Sequence, residues 1–88
     1  MWFVEIPSFS KARCKGQFHA IADAFASLER KGILVTEMRL NSIDLQMLKA
    51  DEDFVGQSQI LEDGRIAVWT AILVEDDSME CVRLSGVS

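Results

Sequence analysis

The chain has 88 residues, 49% of them apolar and 26% charged, with nine basic against fourteen acidic side chains and a net charge of −5. Two separate cores do not fit in this length, and so apolar a composition excludes a disordered chain. The acidic balance, with basic residues scattered, leaves no cationic stripe for a phosphate backbone or an anionic membrane surface. The longest uncharged run, 66–74, is nine residues, far short of the ~20 a membrane-spanning helix needs.

Residues 2–6 (Trp2, Phe3, Val4, Glu5, Ile6) are strand-like, and Pro7 suits the end of an edge strand. The apolar opening lacks a basic region before it and is cut by Glu5 and Pro7, so it does not read as a signal peptide. Residues 8–16, with Lys11, Arg13 and Lys15, read as a connector. Over 17–31 the period becomes helical: Phe18, Ile21, Ala22, Phe25 and Leu28 form one stripe. Arg30 and Lys31 suit the negative end of the helix dipole, and Gly32 suits the left-handed position beyond it.

Residues 33–40 are β-branched and then alternating, a strand. Asn41 follows as a helix N-cap, with the Asp44 carboxylate at the positive end of a short helix reaching about Ala50. Replacing Asn41 by Ala is expected to cost about 1 kcal/mol, and by Asp or Ser much less. Residues 51–58 read as an acidic loop containing Phe54 and Val55, which either fold back onto the core or wait for a partner. A brief strand at 59–61, an Asp63-Gly64 turn and one long strand over 65–74 come next. Both faces of that strand are apolar, which predicts a central position and a core place for Trp69. A turn at 75–78 and a last strand at 79–84 complete the chain, with residues 86–88 expected to fray.

The residues give little sign of catalysis. Three acidic clusters, at 51–53, 62–63 and 75–77, lack the alternation around glycine that a calcium loop requires, and read as solvated turns. His19 is the single histidine and has no nucleophile signature near it; it reads as a surface residue. Cys14 and Cys81, 67 positions apart, read as free thiols, Cys81 as a small core residue. No glycine-rich phosphate cradle occurs, and no metal or cofactor is expected.

Two stretches carry a family resemblance. They are Arg39-Leu40-Asn41-Ser42-Ile43-Asp44-Leu45 and Gly64-Arg65-Ile66-Ala67-Val68-Trp69-Thr70-Ala71-Ile72-Leu73-Val74. With the Gly-ended helix before them, they resemble the axial (A) domain of tailed-phage major capsid proteins, a fold shared with encapsulin shells. Ser42 stands where that family usually has proline, and Thr70 where it usually has glycine. The likeness spans about 18–86. The peripheral domain and long spine helix of those shells find no room in 88 residues, so the resemblance implies an excised or truncated axial domain, or a small relative built on it.

The expectation is therefore one α+β domain, 1–88, with two helices on a mixed or mostly antiparallel sheet of four or five strands. The resemblance implies a non-enzymatic shell or prophage-derived subunit. It would act through contacts with itself or other shell subunits, form homo-oligomers, and reside in the cytoplasm or a virion. Asp51, Asp53, Phe54 and Val55 are its candidate interaction loop. The other reading is a small cytoplasmic binding or regulatory module unrelated to phage.

Overall fold

The computed structural model describes residues 2–8 and 17–88, apart from the side chain of Gln17. Most of the connector, with Lys11, Arg13, Cys14 and Lys15, lies outside the described residues. The fold is α+β: β1 (Trp2–Pro7), α1 (Gln17–Arg30), β2 (Leu34–Leu40), α2 (Ser42–Lys49), α3 (Glu52–Gln57), β3 (Ser58–Ile60), β4 (Ile66–Val68), β5 (Ala71–Glu75) and β6 (Cys81–Val87). The strands make one six-stranded sheet in the order β1-β6-β2-β5-β4-β3. It is mixed, since β2 and β5 run parallel while every other neighbouring pair is antiparallel.

Helix α1 follows the predicted stripe, burying Ile21, Phe25 and Leu28. It ends as its sequence requires: Gly32 takes φ +77°, and the Ile33 N–H closes on the Leu28 carbonyl at 3.0 Å. Those side chains meet Val35, Met38, Leu40, Leu73, Val82 and Leu84 from the sheet in a single core, which Leu45 and Leu48 of α2 extend. Burying each such side chain contributes about 1.5–3 kcal/mol before chain entropy is subtracted.

Helix α2 begins as a capped helix. Asn41 Oδ1 accepts the Asp44 N–H at 2.8 Å, and the Ser42 N–H donates to Asp77 Oδ1 at 2.9 Å. Asp44 itself is fully buried and receives the Ser8 hydroxyl at 2.8 Å, linking the end of β1 to this helix. Asn41 also donates from Nδ2 to the Met79 carbonyl at 3.0 Å. Aspartate and serine keep the cap acceptor but cannot replace this amide donor in the same place. Asn41→Ala is expected to lower stability by about 1–2 kcal/mol, with Asn41→Asp falling between it and the parent. Urea denaturation of the three proteins checks the order.

Three sequence-based boundaries move. The acidic loop 51–58 is mostly helix α3, because the Asp51 carboxylate accepts from the N–H groups of Asp53 (2.9 Å) and Phe54 (3.3 Å). Phe54 consequently points inward and is 2% exposed, so it belongs to the core and not to an interaction loop. The long strand 65–74 is two strands: Val68 pairs with Ala71 around a two-residue turn, Trp69-Thr70, in which Trp69 has φ +52°. Trp69 is 41% exposed there, its ring packed against Phe25 (centroids 4.9 Å apart) and Phe18 (5.2 Å). Thr70 Oγ1 donates to the Val35 carbonyl at 2.7 Å. Ring packing and this bond hold a turn that no Gly, Asn or Asp announces. Finally, β6 runs to Val87, so Gly86 is a buried strand residue and not part of a frayed end.

Candidate interaction surface

Strand register decides which side chains share a face. Opposite partners Val4, Leu84, Met38 and Leu73 form a row facing the helices. The intervening residues point the other way. There one row runs Phe3, Ser85, Glu37, Ile72 and Ala67 across five strands, and the next runs Glu5, Arg83, Arg39 and Val74. Leu34 and Val87 pair beyond the first row. Among the described residues, the helices all contribute their buried side chains to the core on the first face. The second face has none of them over it. Phe3 is 59%, Leu34 51% and Val87 50% exposed, while Ile72 and Val74 are half-buried.

The polar part of this face is organised by ion pairs. Arg39 and Arg83 are cross-strand neighbours, a repulsive placement by itself. Arg83 is matched by Glu5 at 3.2 Å, and Arg39 by Glu37 at 3.3 Å and Asp76 at 3.0 Å. The Arg83 guanidinium also lies 5.0 Å from the centre of the Phe3 ring. Cys81, expected in the core, is on this face instead and donates its thiol to Glu5 at 2.9 Å. That hydrogen bond pushes the Cys81 thiol above its ordinary range, disfavouring the reactive thiolate. The Cys81 bond first, and Arg83 second, hold the Glu5 carboxyl below its usual value.

The residues singled out from sequence lie elsewhere. Asn41 and Asp44 organise the start of α2. Asp51 caps α3, and Asp53 and Val55 are exposed on its outer side. Val55, with Lys49, Ile60 and Ile66, lines a shallow groove next to the edge strand β3. The acidic turns are partly tied down: Asp63 holds Arg65, Asp76 holds Ser78 and Arg39, and Asp77 holds Ser42. Ser78 above all holds Asp76 below the ordinary carboxylate range, and Ser42 does the same for Asp77. His19 is exposed on α1. Among the described residues no three acidic, histidine or cysteine side chains converge as metal ligands, and no helix is long and apolar enough to cross a membrane.

The exposed face could have been suspected from the alternation of Glu37 and Arg39 against Met38 and Leu40. Its other members could not, because β1 and β6 come from opposite ends of the chain. No protein-family model, no curated protein and no solved structure matches this chain.

Proposed function

We propose that the protein is a non-enzymatic structural subunit that works by self-association, in the manner of the capsid axial domains that its sequence resembles. The observation carrying this reading is the sheet face without helices, where Phe3, Leu34 and Val87 stand exposed together. A domain this small gains from apolar area covered by neighbours. The Asn41–Asp44 cap agrees with the resembled motif; the break at Trp69-Thr70 departs from its long strand. The cytoplasm or a virion is the compartment that such a subunit would occupy.

Light scattering across a concentration series tests it. Mass should rise above the 9.9 kDa monomer, and more so at high salt, which screens repulsion between chains of net charge −5. A monomer at millimolar concentration and high salt would sink the self-assembly reading.

A second reading, a module that binds a different protein, is favoured by the groove beside β3. An extended peptide can add to such an edge and place an apolar side chain in the groove. It would leave the free protein monomeric at every concentration.

A further inference from the structure

Resting on the self-association reading, we infer that the surface used is the open sheet face, and that its occupant is a second copy of the same face, packed sheet to sheet about a two-fold axis.

Charge selects the partner. The chain carries −5, so most of its surface repels a copy of itself. The open face is different: Arg39 and Arg83 stand against Glu5 and Glu37, with Asp76 at the margin on Arg39. A nearly neutral patch of alternating sign on an acidic protein can meet its own copy, and each arginine can accept a partner carboxylate without leaving an unpaired charge. A strongly cationic or anionic ligand finds no matching field there.

The distribution of apolar residues agrees with a two-fold. One patch, Phe3, Leu34 and Val87, lies at the β1–β6–β2 side. The other, the half-buried Ile72 and Val74, lies on β5. The charged pair Glu37 and Arg39 on β2 sits between them. A two-fold axis lying between the two sheets and crossing β2 at right angles between Glu37 and Arg39 lays Glu37 of each copy over Arg39 of the other and Ile72 over Val74, so that opposite charges and apolar side chains each meet twice.

Area is sufficient. At ~3.3 Å per residue and ~4.8 Å between strands, these six strands cover roughly 500 Å² in projection. Covering it at the usual sheet spacing of about 10 Å buries roughly 1,000 Å² over the two partners, which is the lower bound for a specific interface.

The test compares exposed positions on the two sides of the molecule. Leu34→Lys and Val87→Lys should each return the associating protein to monomer by light scattering, with melting of the dilute protein unchanged. Val55→Lys, on the helix side, should leave association intact. Concentration-dependent methyl NMR of the unmodified chain gives a reading free of mutation. Shifts should appear at Leu34, Val87, Ile72 and Val74 together, and not at Val55 or Ile60. A protein that still associates, but with shifts at Val55 and Ile60 or with sensitivity only to Val55→Lys, overturns this interface and leaves self-association standing. A protein monomeric throughout overturns both.

Discussion

Phe54→Ala is expected to be among the most damaging single substitutions in this chain, removing about 3–5 kcal/mol of stability. Phe54 is 2% exposed and is among the largest of the fully buried side chains. Its ring meets Phe18 edge-on with centroids 6.4 Å apart, so α3 is fastened to α1 through this pair. Truncation leaves a cavity that a six-residue helix, in which Phe54 is the one buried residue, has little other packing to close. An 88-residue domain has a total stability on the order of 5–10 kcal/mol, so the loss is a large share of it. At roughly 4–8 °C per kcal/mol for a domain of this size, the melting midpoint should fall by more than 10 °C. Val55→Ala, at the neighbouring exposed position, should move it by no more than a few degrees. Equal midpoints for the two variants would mean that α3 does not dock as described. The same burial removes Phe54 from any list of contact residues: Phe54→Ser should unfold the chain before it affects association.

Much of the architecture was legible because it is local. The α1 stripe, the Gly32 stop and the Asn41 cap are each written within a few residues, and each has the geometry its chemistry dictates. The class was legible too, as α+β with a mixed sheet, though six strands and three helices replace the expected four or five and two. Helix α3 was available to a stricter reading, since Asp51 followed by Glu52 and Asp53 is an N-cap with an acidic first turn. The Trp69-Thr70 turn was not. Its residues are strand formers, and what bends the chain is distant: two phenylalanine rings on α1 and the Val35 carbonyl. That turn also changes parity. Ile66 and Val68 share the core face with Ala71 and Leu73, whereas an unbroken strand would have grouped them with Ile72 and Val74. The composition of the open face thus depends on a bend that local propensity opposes, and on pairing between the two ends of the chain.

Gly86→Ala carries the other large expected effect, and it tests that end-to-end pairing directly. Gly86 lies in β6 between Trp2 of β1 and Val35 of β2, and it is buried. Its backbone takes no left-handed conformation, so the constraint is space. A β-carbon there would collide with the carbonyl oxygen of Leu34, lie 2.9 Å from the carbonyl carbon and touch Ile33 Cγ2 at 3.0 Å. The obstruction is main chain, beside the register shift between Val35 and Glu37, and cannot rotate away as a side chain would. Overpacking of this kind costs about 1–3 kcal/mol. The strand can avoid the collision only by peeling away its last residues, which gives up the Leu34–Val87 and Trp2–Gly86 pairs. Either outcome lowers the melting midpoint, by roughly 5–15 °C at the conversion above. Gly56→Ala provides the contrast: a β-carbon at that position in α3 meets nothing within 4 Å. There alanine should stabilise the helix by about 0.5–1 kcal/mol through its higher propensity. Thermal melts of the two variants should therefore move in opposite directions from the parent. If Gly86→Ala melts with the parent while its Val87 amide stays protected from hydrogen exchange, β6 and β2 do not approach as closely as this structure has them.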